Sequence, residues 1–306
     1  MSSHGATAAI YPRPMPDHIT IGSGLSMGGG EPVISDAVRS GGLLFLSGRA
    51  AVDPVTLEVV SDSFDEQVAV VLREVGEVLE AAGADFALFD LEHTAWDVES
   101  LRHVYAAGRG TGVHPITRVV RAEYTHVAPA LDAGARGIMA PMVESAAEAR
   151  VLVESARYPP EGKRGFGVLM RDELDGGPAA AAERANRDNV LIAQIESEAG
   201  IEHAAEIVAV PGIDAVWLGQ FDLSLSLGVP GDFAHPRFDE AVDHLLGVCR
   251  AAGKPVGQLI GSPQDGAAAA ARGFQILAYA DLWVFENALR EGLAALRGAA
   301  TAPRSD

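Results

Sequence analysis

Three apolar runs in this chain each end in residues that can do chemistry. Phe86-Ala87-Leu88-Phe89 leads into Asp90-Leu91-Glu92-His93, and later runs end in Gln194-Ile195-Glu196 and in Gly219-Gln220-Phe221-Asp222-Leu223-Ser224. Glu196 and Asp222 supply two carboxylates with no His or Cys ligand nearby, a donor set that suits a hard divalent cation such as Mg²⁺ or Mn²⁺. Two protein ligands leave coordination positions for water and substrate, and a bidentate 2-oxo acid could fill two of them. His93 can exchange a proton near neutral pH, with a neighbouring carboxylate to orient its ring. Arg118, at the end of Pro115-Ile116-Thr117-Arg118, can grip a carboxylate and offset enolate charge. Gln194 shares a strand face with Glu196, because strand side chains alternate with period two. It can hydrogen-bond substrate or a metal-bound water. Asp90 is a further candidate substrate contact. Together these groups read as a divalent-metal lyase.

Each residue also has a plainer reading. Glu196 could cap the next helix, and Asp222 could be a turn residue. A lone His is usually a surface or satisfied core group. Arg121 competes with Arg118 and reads as solvent-facing. Asp132, near a helix end, reads on its own as a solvated turn residue. Equivalence of position favours the functional reading: strand C-terminal ends share one face in a (β/α)8 barrel, and that face carries the chemistry. Lysine gives a negative. Lys163 lies in a loop, and Lys254 precedes a strand, at the wrong end of a barrel. A Schiff-base mechanism needs a desolvated lysine at the reacting face, so a metal is expected to act as the electron sink.

The elements that must position these groups alternate regularly. Strand-like runs cover 86–91, 115–120, 136–141, 190–196, 214–219, 255–260 and 274–279. Helix-like stretches cover 98–107, 123–133, 144–156, 200–208, 236–252 and 263–271, with a last one at 284–297. Such alternation means a parallel sheet with right-handed crossovers. That gives seven strands where a closed barrel needs eight. The run 43–48 and the helix 64–82, opened by the capping box Ser63-Phe64-Asp65-Glu66 and stopped by Gly83, can supply the missing first unit. The alternative is an open seven-strand barrel with a separate appendage. Residues 1–30 carry Pro12, Pro14, Pro16 and Gly28-Gly29-Gly30 without a sustained period and read as a tail or arm.

The 306 residues, 48% hydrophobic, suffice for one large barrel. A net charge of −19 argues against nucleic acid or an anionic membrane surface as partner. No apolar stretch is long enough to span a bilayer. The N-terminus shows no signal-peptide pattern. One cysteine, Cys249, reads as a core residue, excludes an intrachain disulfide and fits a reducing cytoplasm.

From about 85 to 297 the chain resembles the HpcH/HpaI class II aldolases. The motifs are Asp90-Leu91-Glu92-His93, Leu131-Asp132-Ala133-Gly134-Ala135, Ala140-Pro141-Met142-Val143-Glu144, the stretch from Arg157 to Gly165, Gln194-Ile195-Glu196 and Gly219-Gln220-Phe221-Asp222-Leu223-Ser224, in that order. The resemblance implies a (β/α)8 TIM barrel that cleaves 4-hydroxy-2-oxo acids to pyruvate or a related 2-oxo acid plus an aldehyde. It implies His93 as catalytic base, Arg118 on the 2-oxo acid and its developing enolate, and Glu196 and Asp222 as ligands of Mg²⁺ or Mn²⁺, with Co²⁺ a further candidate. It also implies Gln194 as a substrate contact and Asp132 as the partner of the catalytic histidine. Homo-oligomers, trimers or paired trimers, are expected, packed partly through the C-terminal helix.

Residues 31–84 depart from that family. They resemble the first half of a RidA/YjgF-type domain, through Ser40–Gly48, Asp53–Val59 and the helix ending Leu79-Glu80-Ala81-Ala82-Gly83. The second half of that fold, with its carboxylate-binding arginine, is missing, so deaminase chemistry is not expected. The expected organisation is a tail at 1–30, a RidA-like half-domain at 31–84 able to serve as an atypical first βα unit, an aldolase-like barrel at 85–298 and a tail at 299–306. A CoA-ester lyase of the citrate-lyase β type would need a basic nucleotide-binding surface that the sequence does not offer. A non-enzymatic alternative is an impaired barrel retained as an oligomeric scaffold.

Overall fold

The structure, a computed structural model, describes residues 19–21, 37–40, 43–46, 63–167 and 175–301. The chain divides into two compact units. One comprises Met1–Asp85, Ala106–Val113 and Tyr279–Asp306; the other comprises Phe86–Tyr105 and His114–Ala278.

The first unit holds a three-stranded antiparallel sheet, β1 (Ile19–Ile21), β2 (Ala37–Ser40) and β3 (Leu43–Leu46), with helix α1 (Phe64–Ala81). The sequence leaves the run at 43–48 able to supply the first unit of the barrel, with a separate appendage as the alternative; its described part is 43–46. That part pairs with β2, in the register Ser40↔Leu43 to Ala37↔Leu46. Only Gly41 and Gly42 separate the two strands in sequence, and a two-residue Gly-Gly connection specifies a local antiparallel hairpin. β1 lies within the stretch expected to be a tail; its β-branched Ile-Thr-Ile sequence suits a strand. Expectations for Ser47-Gly48 and Asp53–Val59 fall outside the described residues. α1 starts where expected: Ser63 Oγ accepts the backbone N–H of Glu66 at 3.5 Å.

The second unit is the barrel sheet. Its seven parallel strands are β4 (Phe86–Asp90), β5 (His114–Arg118), β6 (Gly137–Ala140), β7 (Val190–Ile195), β8 (Ala215–Leu218), β9 (Val256–Ile260) and β10 (Ile276–Tyr279). They lie in sequence order across the sheet, and no β10–β4 ladder occurs among the described residues. The crossovers are α2 (Val98–Ala107), α3 (Tyr124–Ala133), α4 (Ala146–Ala156) with α5 (Gly177–Asp188), the short α6 (Glu198–Glu202) and α7 (Ala204–Val208), α8 (Gln220–Ser226) with α9 (Pro236–Ala252), and α10 (Pro263–Arg272). The last helix, α11 (Asp281–Thr301), belongs to the first unit. α5 was not expected, because its sequence is polar overall and carries no apolar residue larger than Ala and Pro; only Ala181 on it is buried. The single helix expected at 200–208 breaks at His203, and α11 runs to Thr301, into the expected tail.

The interior is filled by Ile116, Met139, Ile192, Ala215 and Trp217, with Phe86, Leu88, Leu259, Ile276 and Ala278 packed on them. Gly257 makes room for the indole: a Cβ there would lie 2.4 Å from the Trp217 ring. Period-two alternation then decides the site. Two residues beyond Leu88, Ile116 and Ile192, on the same inward face, stand Asp90, Arg118 and Gln194.

Candidate active site

Asp90 and Arg118 are the last residues of neighbouring strands and are paired in register. The pairing sets a bidentate ion pair: Arg118 Nε donates to Asp90 Oδ1 at 2.8 Å and NH2 to Oδ2 at 2.6 Å. The backbone N–H of Glu92 adds a 2.9 Å bond to Asp90 Oδ1. Burial works against the Asp90 carboxylate, but Arg118, this N–H and His93 outweigh it and hold Asp90 below the ordinary aspartate range. Both carboxylate oxygens of Asp90, the candidate substrate contact, are thus engaged by Arg118. Of the five guanidinium N–H groups, three remain for a ligand.

Glu92 follows, with Oε2 buried and accepting no hydrogen bond among the described residues. That oxygen lies 3.4 Å from Arg118 Nε and 3.5 Å from His93 Nε2. Burial, with help from Asp90 and Asp222, raises the Glu92 carboxyl against the opposing pull of Arg118 and His93. The His93 side chain is 60% exposed and open to solvent.

Glu196 lies one residue past β7 and is 2% exposed. Its Oε2 accepts from Gln194 Nε2, and its Oε1 accepts the backbone N–H of Met142 at 2.7 Å. Met142 sits two residues past β6 with φ 52°, a left-handed conformation that is uncommon and costly for a residue with a side chain. Gly219 lies against the other side of Glu196: a Cβ there would fall 2.2 Å from Oε2. Burial pushes the Glu196 carboxyl up to about 7; Asp222 and Glu92 add to the rise, and the two donated hydrogen bonds oppose it. Gln194, 1% exposed, keeps Oε1 buried with no partner among the described residues.

Asp222 was expected at a strand end. It lies instead in the first turn of α8, four residues past β8. Its charge still reaches Glu196 and Glu92. Arg118 likewise feels Asp90, Glu92 and Glu196, which together outweigh the effect of its burial and raise its pKa. Asp90, Glu92, His93, Arg118, Gln194, Glu196 and Asp222 therefore form one electrostatic neighbourhood at the strand C-terminal ends.

Asp132 does not join it. α3 runs back toward the strand N-termini, where Arg136 N donates to Pro115 O. There the Asp132 carboxylate pairs with Arg164 NH2 at 2.5 Å, and Arg164 stacks over the Tyr158 ring. The pairing with His93 implied by the resemblance is not made within this chain, because helix direction places Asp132 at the opposite rim. The lysines are also remote: Lys163 pairs with Glu154, and Lys254 Nζ donates to Ile213 O at 2.6 Å. Sequence reasoning gave no role to Met142 or Gly219. Both stood inside motifs it noted, but a left-handed backbone at Met142 has no signature in residue type.

The family model "HpcH/HpaI aldolase/citrate lyase" matches residues 73–281, and a shorter one, "Endoribonuclease L-PSP", matches 33–89. The chain is 35% identical over 223 residues to the 2-dehydro-3,6-dideoxy-6-sulfogluconate aldolase of Pseudomonas putida, covering 72% of this chain and 88% of that one. It is 39% identical over 184 residues to the hydroxypyruvate/pyruvate aldolase of Roseovarius nubinhibens, covering 60% and 72%. A crystal structure of an HpcH/HpaI aldolase/citrate lyase family protein from Burkholderia cenocepacia superposes with a TM-score of 0.68 at 31% identity, covering 74% of this chain and 90% of that one. With the strand-end carboxylates and the paired arginine in place and both lysines engaged elsewhere, the chain belongs to the HpcH/HpaI aldolase/citrate lyase family and is a carbon–carbon lyase of the aldolase kind.

Proposed function

We propose that this chain is a class II aldolase that cleaves 4-hydroxy-2-oxo acids to pyruvate or a related 2-oxo acid and an aldehyde. One observation carries the reading: four carboxylates, Asp90, Glu92, Glu196 and Asp222, converge on a strand-end face with a single guanidinium, Arg118, among them. That imbalance, with the buried Glu92 Oε2 accepting no hydrogen bond among the described residues, fits a divalent cation. All donors are hard oxygens, which favours Mg²⁺ or Mn²⁺. Glu196 and Asp222 would hold it. Among the described residues no group of three or more His, Cys, Asp or Glu is placed to hold a metal, so water and substrate would complete the shell. Bound there, the ion would supply Lewis acidity toward the 2-oxo acid.

The residues of the chain do the rest. Arg118, held flat by Asp90, donates its free N–H groups to the keto oxygen, where negative charge develops. Gln194 offers its unpartnered Oε1 to a substrate hydroxyl or water. His93 takes the proton of the 4-hydroxyl. The electron pair of that O–H bond forms the aldehyde C=O, and the C3–C4 pair passes into the enolate of the 2-oxo acid. Protonation at C3 completes pyruvate or its relative. Asp132, engaged by Arg164, has no step in this scheme. A homo-oligomer, trimeric or hexameric, and a cytoplasmic location accompany the proposal; no helix among the described residues is long and apolar enough to cross a membrane.

A screen of 4-hydroxy-2-oxo acids, with pyruvate release coupled to lactate dehydrogenase, tests the reading. EDTA should abolish release, and Mg²⁺ or Mn²⁺ should restore it. Full activity in the doubly substituted Glu196→Ala, Asp222→Ala protein would reject the assignment.

A further inference from the structure

We propose that Met142 is a positioning residue whose left-handed backbone, together with the bare α-carbon of Gly219, sets the orientation in which the Glu196 carboxylate meets a divalent cation. The inference rests on the metal reading above. Met142 is the one described non-glycine residue with positive φ, at 52°, and it does not sit in a generic turn. The conformation aims its backbone N–H at Glu196 Oε1, 2.7 Å away. Gln194 Nε2 holds the other oxygen. Gly219 closes the third side, since any side chain there would overlap Oε2. A carboxylate fixed by two donors and a steric wall keeps its remaining lone pairs in one direction. The Met142 side chain, half exposed, is not needed for this; the backbone is. Outer groups that orient metal ligands matter to affinity on the scale of about 10–100-fold.

The experiment is direct Mn²⁺ binding to the full chain, read from the EPR signal of free Mn²⁺, in the parent and three variants. Met142→Val disfavours the left-handed conformation through its branched Cβ, and Gly219→Ala pushes on the Glu196 carboxylate. Each should weaken Mn²⁺ binding about 10–100-fold while circular dichroism stays that of the parent. Met142→Gly keeps the N–H and adopts positive φ readily. It should rescue affinity to within about threefold of the parent. A Met142→Gly protein as weak as Met142→Val would overturn the inference, because the side chain would then carry the effect. So would a Met142→Val protein that binds like the parent. If Met142→Val fails to fold, Met142→Thr, also branched at Cβ, makes the same comparison with Met142→Gly, and a Gly219→Ala protein with parental affinity overturns the inference. A parent that binds no Mn²⁺ overturns the metal reading and this inference with it; a parent that binds, with unaltered variants, overturns the inference alone.

Discussion

At the scale of single residues, the site is an arrangement of like charges held together by few cations. Asp90 takes two of the Arg118 N–H groups, the one guanidinium is shared electrostatically with Glu92 and Glu196, and burial raises Glu92 and Glu196. His93 sits at the solvent-facing edge of this group, 60% exposed and 3.5 Å from Glu92. That placement yields a prediction. His93→Ala should lower turnover by about 10²–10⁴-fold, the usual worth of a general base, with Mn²⁺ affinity little changed; a steady-state rate set beside an Mn²⁺ titration checks both halves. Cys249 gives the opposite case. It is fully buried, and burial pushes its thiol up to about 12. The thiolate, the form that reacts, is scarce near neutral pH. Labelling by a disulfide reagent should therefore be absent in the native protein and stoichiometric in urea.

At the scale of elements, register does the positioning. Strand β4 against β5, with Asp90 opposite Arg118, fixes that ion pair before any side chain chooses a rotamer. The interior below it tolerates a large indole only because β9 carries a glycine opposite. Gly257→Ala would place a Cβ 2.4 Å from the Trp217 ring. Overpacking of this kind costs about 1–3 kcal/mol, so urea unfolding should show a lower midpoint with an unchanged slope. Helix ends are set locally. Ser262 Oγ accepts the Asp265 N–H at 3.1 Å to cap α10, and Ser145 and Ser197 do the same for α4 and α6.

At the scale of the whole molecule, the barrel sheet and the smaller unit pose different questions. An active-type site should respond to ligand, and a scaffold should not. Mn²⁺ with pyruvate, each at about 100 times its dissociation constant, should stabilise the native state by about 2.7 kcal/mol per site occupied, seen as a rise in melting temperature that EDTA removes. α11 leaves Leu282, Phe285, Leu289 and Leu293 exposed along one stripe. If the expected oligomer packs through this helix, Leu289→Glu should lower the mass measured by light scattering without loss of circular dichroism.

Composition and order alone determined a great deal here. The alternation of apolar runs with helical stretches specified a parallel barrel sheet, because buried parallel strands and their crossovers leave a periodic trace. The strand-end positions of Asp90, Arg118, Gln194 and Glu196 followed from the same periodicity. Tertiary structure decided what periodicity cannot carry. It set the strand at 43–46 in a hairpin with β2, because local antiparallel pairing competes with distant closure. It paired Asp132 with Arg164 at the far rim, because a contact between residues 32 apart leaves no periodic trace. It moved Asp222 onto a short helix and recruited the backbone of Met142 and the missing side chain of Gly219 to Glu196. Those last two contributions are an N–H and an empty volume, and neither is written in the chemistry of a residue type.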